Sequence, residues 1–374
     1  MKIAGIVCEY NPFHNGHKYQ IDVTRQRADG VVCVMSGNFV QRGEAAAFDK
    51  HTRAAMAISG GADLVVELPT VYAAASAEYF ARNAVVILDA LGVADILSFG
   101  AETDVSADLT EVARLLVDEP PEYKDALNAR LQKGASFPAA RSAAVDAILG
   151  GKLASILNSP NNILAVEYIK ALIRSGSAIE PFVVKRMGAE HDSEVAADGF
   201  ASASQIRKMI ASGDVRANTF TPFSVSTIPA HGMQHMEKAI IANLRKMPIE
   251  ELKSIADVNE GLENRIKRAA VECSTLDMLV ENIKSKRYAH SRIRRIVLNS
   301  FLGITREMQE GAPPYIKILA FNETGQRIIN TAKKSAALPI VKNMSQVKKL
   351  GNSAAVEFWE REVMFDGLWE LFKE

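Results

Sequence analysis

His14 and His17 stand three residues apart in the stretch Glu9-Tyr10-Asn11-Pro12-Phe13-His14-Asn15-Gly16-His17. On a helical turn that spacing lets both rings point the same way. Two imidazoles at a helix start suit phosphate chemistry. They can donate hydrogen bonds to oxygens whose charge grows as phosphorus is attacked. The helix start adds unpaired N–H groups and the positive end of a dipole. Gly16 lacks a Cβ, so a flat ligand can press against the backbone there. Asn11-Pro12 is turn chemistry, with the proline fixing φ and the preceding residue pushed out of the helical region. The competing reading is a structural turn with two surface histidines.

Other residues of the same chemical kind recur further on. Ser202-Ala203-Ser204-Gln205-Ile206-Arg207 leads serines into an amphipathic stretch at 204–211. As structure, this is an N-capped helix. As chemistry, hydroxyls, helix N–H groups and a guanidinium make a cradle for β- and γ-phosphates. Arg186 can clamp phosphate bidentately. Gly100, and the loop Ser36-Gly37-Asn38-Phe39-Val40-Gln41-Arg42-Gly43-Glu44, each follow an apolar run. Glycine at such a place also serves as plain loop punctuation.

Stretches 3–7, 30–35, 63–68 and 95–99 are near-continuously apolar, as in parallel strands buried on both faces. Helical patterns occupy 18–28, 49–59 and 76–91 between them. This βαβαβαβ order implies right-handed crossovers and an open α/β sheet of Rossmann type. Helices at 105–118, 121–133, 138–148 and 163–175 precede a fifth strand at 180–184. Ligands of such sheets sit beyond the carboxyl ends of the strands. The histidine loop, the 36–44 loop, Gly100 and Arg186 all fall there.

From about residue 221 the pattern turns mostly helical, with helices at 235–246, 249–255, 262–272, 276–283 and 291–301. A strand at 315–321, a turn at 322–325 and helices at 326–333, 344–349 and 354–372 complete the chain. A boundary near residues 222–229 gives two units, 1–222 and 223–374. Seven cations run from Lys284 to Arg306 with no acid between them: Lys284, Lys286, Arg287, Arg292, Arg294, Arg295 and Arg306. Tyr288 and His290 are interleaved. Such a run is either a solvated helix face or a surface for RNA backbone and splayed bases. The chain has 374 residues, 48% hydrophobic and 24% charged, with formal net charge +0. Any nucleic-acid surface must therefore be a local patch. No apolar run reaches membrane-spanning length and no signal-peptide pattern opens the chain, so a cytoplasmic protein is expected. Three cysteines without metal-ligand spacing read as buried thiols of a reducing compartment, and no protein metal site is expected.

The histidine stretch resembles the His-x-Gly-His signature of the nucleotidyltransferase superfamily, and 202–207 resembles its second, Ile-Ser-Ser-Thr-x-Ile-Arg motif. Together with 35–44, Asp63-Leu64-Val65-Val66-Glu67-Leu68-Pro69, Pro160-Asn161-Asn162-Ile163-Leu164 and Lys286-Arg287-Tyr288, the chain resembles the bacterial tRNA(Met) cytidine acetate ligases. One departure separates it from adenylyltransferases of phosphorylated metabolites. Those carry Gly-Gly-Thr or Gly-Gly-Ser where this chain has Cys8-Glu9-Tyr10.

The resemblance implies an α/β nucleotidyltransferase domain followed by a mostly helical tRNA-binding domain. It implies acetate activation by ATP with Mg²⁺, then acetyl transfer to N4 of the wobble cytidine of elongator tRNA(Met). By that resemblance the nucleotide site comprises Val7, Cys8, Glu9, Tyr10, Asn11, Pro12, Phe13, His14, Asn15, Gly16, His17, Lys18, Tyr19 and Gln20, with Gly100, Asn161 and Arg186. His14 and His17 would stabilise the pentacoordinate phosphorus, and Ser202, Ser204 and Arg207 would hold the leaving pyrophosphate. Gln41, Arg42 and Glu44 would bind acetate or position the cytosine. Lys284, Lys286, Arg287, Tyr288, Arg292, Arg294 and Arg295 would grip the RNA. The alternatives are a metabolite nucleotidyltransferase and a non-catalytic RNA-binding protein on the same fold.

Overall fold

The structure, a computed structural model, describes residues 1–186, 199–259, 261–285 and 288–373. Nine strands form among them: β1 (Ile3–Cys8), β2 (Gly30–Ser36), β3 (Phe39–Val40), β4 (Glu44–Ala45), β5 (Leu64–Leu68), β6 (Ile96–Ala101), β7 (Glu180–Lys185), β8 (Ile316–Phe321) and β9 (Ile340–Val341). Seven make one sheet in the order β7-β6-β1-β2-β5-β8-β9. The first five expected strands pair in parallel, with Ile6 opposite Cys33 and Phe99 opposite Val183. The chain leaves β1 first toward β2 and β5, and later toward β6 and β7. The switch point therefore lies between β1 and β6, where such sheets open a ligand crevice.

Alternation along the strands divides the core into two layers. Val32, Val34, Leu64, Val66 and Leu97 face helices Ala77–Leu91, Ser106–Asp118 and Pro160–Ser175. Ile6, Cys33, Met35 and Val65 face helices Asn15–Arg25, Lys50–Ser59 and Ala203–Ala211. Each fully buried Val or Ile contributes about 1.5–3 kcal/mol. Cys8, Cys33 and Cys273 are free buried thiols. No helix among the described residues is long and apolar enough to cross a membrane.

The C-terminal part does not stand off as helices alone. β8 pairs antiparallel with β5, Leu64 opposite Phe321, and β9 pairs with β8. A division at 222 thus places two strands of the first unit's sheet in the second unit. The expected turn at 322–325 is instead the start of helix Glu323–Ser335, where Asn322 Oδ1 accepts from Gly325 N–H at 2.9 Å. Helix Ser353–Leu371 docks beside the sheet through a buried charge network. Glu67 on β5 accepts from Lys50 at 2.6 Å and from Lys317 at 2.7 Å, and Lys50 also meets Asp366. Glu362 accepts from Thr70 N–H at 2.9 Å.

Burial, and then the charge of Glu67, push the Glu362 carboxyl up to about 7. A carboxyl raised in the folded state favours folding when protonated. That contribution is complete below the unfolded value near 4.5 and is lost as pH rises through about 7. Unfolding curves of parent and Glu362→Gln from pH 4.5 to 8 should diverge with pH, the parent losing stability relative to the variant. Parallel curves would contradict this.

Candidate active site

The histidine loop is tied down by its own backbone. His14 is the N-cap of helix Asn15–Arg25, and its Nδ1 accepts from Gly16 N–H at 3.1 Å. His17 Nδ1 accepts from His14 N–H at 3.2 Å. The two rings stack with centroids 3.6 Å apart. With each Nδ1 an acceptor, a neutral ring carries its proton on Nε2, leaving Nε2–H as the donor for a ligand. Burial, then the Arg186 and Arg207 charges, lower His14 to about 3. Burial, then His14 and Arg186, hold His17 well below its ordinary value. Both rings are therefore neutral near pH 7.

Beneath them Phe13 is fully buried against Tyr10, with ring centroids 4.8 Å apart. Phe13 also fills the space over Gly60, where a Cβ would lie 2.4 Å from its ring. Arg53, fully buried, donates to the carbonyls of Glu9, Phe48, Ser36 and Gly37, joining the histidine loop to the 36–45 loop. Asn11 Oδ1 accepts from Ala47 N–H at 2.7 Å.

A cleft of about 260 Å³ opens beyond the carboxyl ends of β1 and β6. Val7, Cys8, Glu9, Tyr10, Asn11, His14, His17 and Gln20 line it, and Gly16 and Tyr19 line a smaller hollow beside it. Pro12, Phe13, Asn15 and Lys18 line neither. Asn15 instead donates to the carbonyls of Gly199 and Thr219, and Lys18 pairs with Asp22. Gly100, Asn161, Arg186, Ser202, Ser204 and Arg207 converge on the cleft from four other segments. Ser202 Oγ accepts from Gln205 N–H at 3.2 Å, so it caps helix Ala203–Ala211 whose start faces the cleft.

Gln41, Arg42 and Glu44 also line the cleft. Gln41 N–H donates to Glu9 Oε1 at 2.6 Å. Glu44 is shared between two arginines: Arg207 at 3.1 Å and Arg294 at 2.5 Å. The β3–β4 turn lies directly against helix His290–Leu302. Gly43 has φ +73°, and a Cβ there would lie 2.5 Å from the Arg294 carbonyl carbon.

Several further neighbours were not among the site residues read from the sequence. Glu102 accepts from Asn161 Nδ2 at 2.6 Å and Asn162 N–H at 2.9 Å, while Asn162 Oδ1 accepts from Glu102 N–H. That reciprocal clasp sets the Asn161 loop. Phe80, Phe99, Leu164 and Tyr168 supply apolar wall. The position of Glu102 just past a strand was the available signal; Tyr168 gave none.

The basic run is rearranged by the fold. Arg295 is 7% exposed and paired with Asp257 at 3.0 Å, so it does not belong to an RNA-facing surface. Arg292 donates to the Asp257 carbonyl and lies over the Tyr288 ring at 5.0 Å. Arg294 turns toward Glu44, and Lys284 pairs with Glu281. Lys286 and Arg287 lie outside the described residues.

A switch-point cleft with paired neutral imidazoles at a helix N-terminus suits the phosphates of a nucleotide. The model of the HIGH Nucleotidyl Transferase family matches residues 1–373. The tRNA(Met) cytidine acetate ligase of Acetivibrio thermocellus is 39% identical, over 99% of this chain and 95% of that protein. That of Caldanaerobacter subterraneus subsp. tengcongensis is 41% identical over the same shares, 99% and 95%. The apo crystal structure of Thermotoga maritima TmcAL aligns with TM-score 0.95 at 34% identity, covering 100% of this chain and 95% of that chain. The form of that protein bound with alpha-thio ATP aligns at TM-score 0.92. The chain belongs to the tRNA(Met) cytidine acetate ligase family, a branch of the HIGH nucleotidyltransferases.

Proposed function

We propose that this chain activates acetate with ATP and transfers the acetyl group to N4 of the wobble cytidine of elongator tRNA(Met). The observation that carries the reading is the pair of neutral imidazoles, each with Nδ1 held by backbone and Nε2–H left for substrate. In the first step an acetate oxygen attacks the α-phosphorus, the bond to the β-phosphate breaks and pyrophosphate leaves. His14 and His17 donate to the oxygens that gain charge. Ser202, Ser204 and Arg207 hold pyrophosphate; the 7–20 segment, Gly100, Asn161 and Arg186 hold the nucleotide. In the second step N4 attacks the acetyl carbon, the acetyl–oxygen bond breaks, AMP leaves and a proton is released.

Mg²⁺ enters as part of the MgATP substrate. No group of three or more His, Cys, Asp or Glu suited to a metal occurs among the described residues. Reliance on substrate phosphates is usual for this ion. Gln41, Arg42 and Glu44 bind acetate or position the cytosine. Lys284, Tyr288, Arg292 and Arg294, with Lys286 and Arg287, form the RNA grip of a 223–374 unit, and 1–222 carries the nucleotide chemistry. Such a reaction belongs in the cytoplasm, where ATP and tRNA meet.

The test is ATP–pyrophosphate exchange by purified protein with and without acetate, followed by mass spectrometry of the tRNA. Acetate-dependent exchange is expected. Exchange that needs a phosphorylated metabolite and ignores acetate would point to a metabolite nucleotidyltransferase. tRNA binding without any ATP turnover would point to a binding protein.

A further inference from the structure

A second cavity, of about 370 Å³, adjoins the nucleotide cleft. Its walls come from the β3–β4 turn, helices Ala203–Ala211, Leu276–Ile283 and His290–Leu302, and the 230–237 segment. Glu44, Ser204 and Arg207 line both spaces, so the Arg207–Glu44–Arg294 bridge is the wall between them. Ala45, Met233, Val280 and Val297 make apolar faces.

His231 is the unusual member. It is 6% exposed, yet neither ring nitrogen has a hydrogen-bond partner among the described residues. Its backbone N–H is fixed to the Ala47 carbonyl at 2.8 Å, and its ring meets Trp369 edge-on at 4.9 Å. Buried polar atoms are nearly always paired, so an imidazole whose two covered nitrogens both lack a partner asks for a ligand. Burial, then His235, lower its pKa to about 4, so near pH 7 it offers one donor and one acceptor.

We propose that this cavity receives the acceptor cytosine, splayed out of its RNA loop, with Glu44 accepting from the N4 amine and His231 hydrogen-bonding the rest of the base's pairing edge. The proposal rests on the ligase reading above. Carboxylates are natural partners for the cytosine amine, and single-stranded bases are commonly unstacked into pockets with apolar faces. Uracil would turn its O4 acceptor toward the same carboxylate and be refused. Glu44 on the shared wall would hold N4 facing the acyl-adenylate, while Lys208 and Arg294, which also line the cavity, are placed for the flanking phosphates.

Two variants test this. His231→Phe keeps a ring against Trp369 without the nitrogens. Ala211→Trp closes the cavity from an exposed helix position, where folding is least at risk. For each, acetate-dependent ATP–pyrophosphate exchange without RNA and acetyl transfer to an unmodified elongator tRNA(Met) transcript are measured side by side. Transfer should fall at least tenfold while exchange stays within twofold. Transfer at the parent rate in both variants overturns the pocket. A parallel fall in both rates also overturns it, because the residues would then be acting on the nucleotide. Failure of the ligase reading is a separate result, visible as absence of acetate-dependent exchange in the parent protein.

Discussion

His14→Ala and His17→Ala should each lower acetate-dependent pyrophosphate exchange by about 10²–10³. That is the usual effect of removing one preorganised donor to a developing oxyanion, roughly 2.7–4 kcal/mol. The alanine variants also lose a cap, because each imidazole accepts a backbone N–H at the helix start. Removing a cap costs about 0.5–2 kcal/mol of stability. His14→Asn separates the two effects. Its side chain can still accept at the N-cap, so the melting temperature should recover while the rate does not. Exchange near the parent rate in either alanine variant would remove the histidines from the mechanism.

The pH dependence is constrained by the same geometry. His14 is held down at about 3 and His17 is likewise depressed, so the free protein keeps both rings neutral through the physiological range. The kcat/KM profile, which reports free-enzyme groups, should show no histidine limb near 6.5. Stability shows the complement. A base whose folded pKa is lowered supports folding above its unfolded value, and that support is lost as pH falls. For His14 the window runs from about 6.5 down to about 3.

The second large effect concerns stability. Burial alone would raise the Glu67 carboxyl, but Lys317 and Lys50 hold it down at about 2. Glu67→Ala would leave two buried ammonium groups short of a partner, for a loss of about 3–5 kcal/mol. Lys50 would retain Asp366, while Lys317, whose one ion pair among the described residues is with Glu67, would keep its contact over the Trp359 ring, at 4.5 Å, and the more distant charge of Asp366. Replacing the group together, Lys50→Met with Glu67→Leu and Lys317→Met, should recover most of the loss, since apolar replacement of buried ions is often neutral or stabilising. Urea unfolding of both variants checks this. A Glu67→Ala protein within 1 kcal/mol of the parent would sink it.

Much of this architecture was legible in the sequence because its signals are local. Buried parallel strands are continuous apolar runs, and 30–35 and 180–184 match β2 and β7 to within a residue at each end. Ser202 before a helical pattern reads as a cap and is one. The phase of the basic run was not legible. Helix His290–Leu302 buries Ile293, Ile296 and Val297, and Arg295 is carried inward with them. Its acid, Asp257, and the acid of Arg294, Glu44, are far away in sequence, so the run looked uncompensated. Strands of two residues, β3 and β4, are too short to show a period, yet they place Glu44 on the wall of the cleft. β8 was visible as a strand, but nothing near it named β5 as its neighbour.

That pairing has a consequence during synthesis. β5 is complete at residue 68, but its outer partner emerges about 250 residues later. At ribosomal speeds of about 5–20 residues per second, the nascent sheet waits roughly 10–50 s with an open edge. Leu64–Leu68 is wholly apolar apart from Glu67, and an unpaired strand of that kind is a template for another chain. For that interval the protein's solubility depends on whatever shields β5, and a nascent chain released at residue 222 would carry the exposed edge permanently.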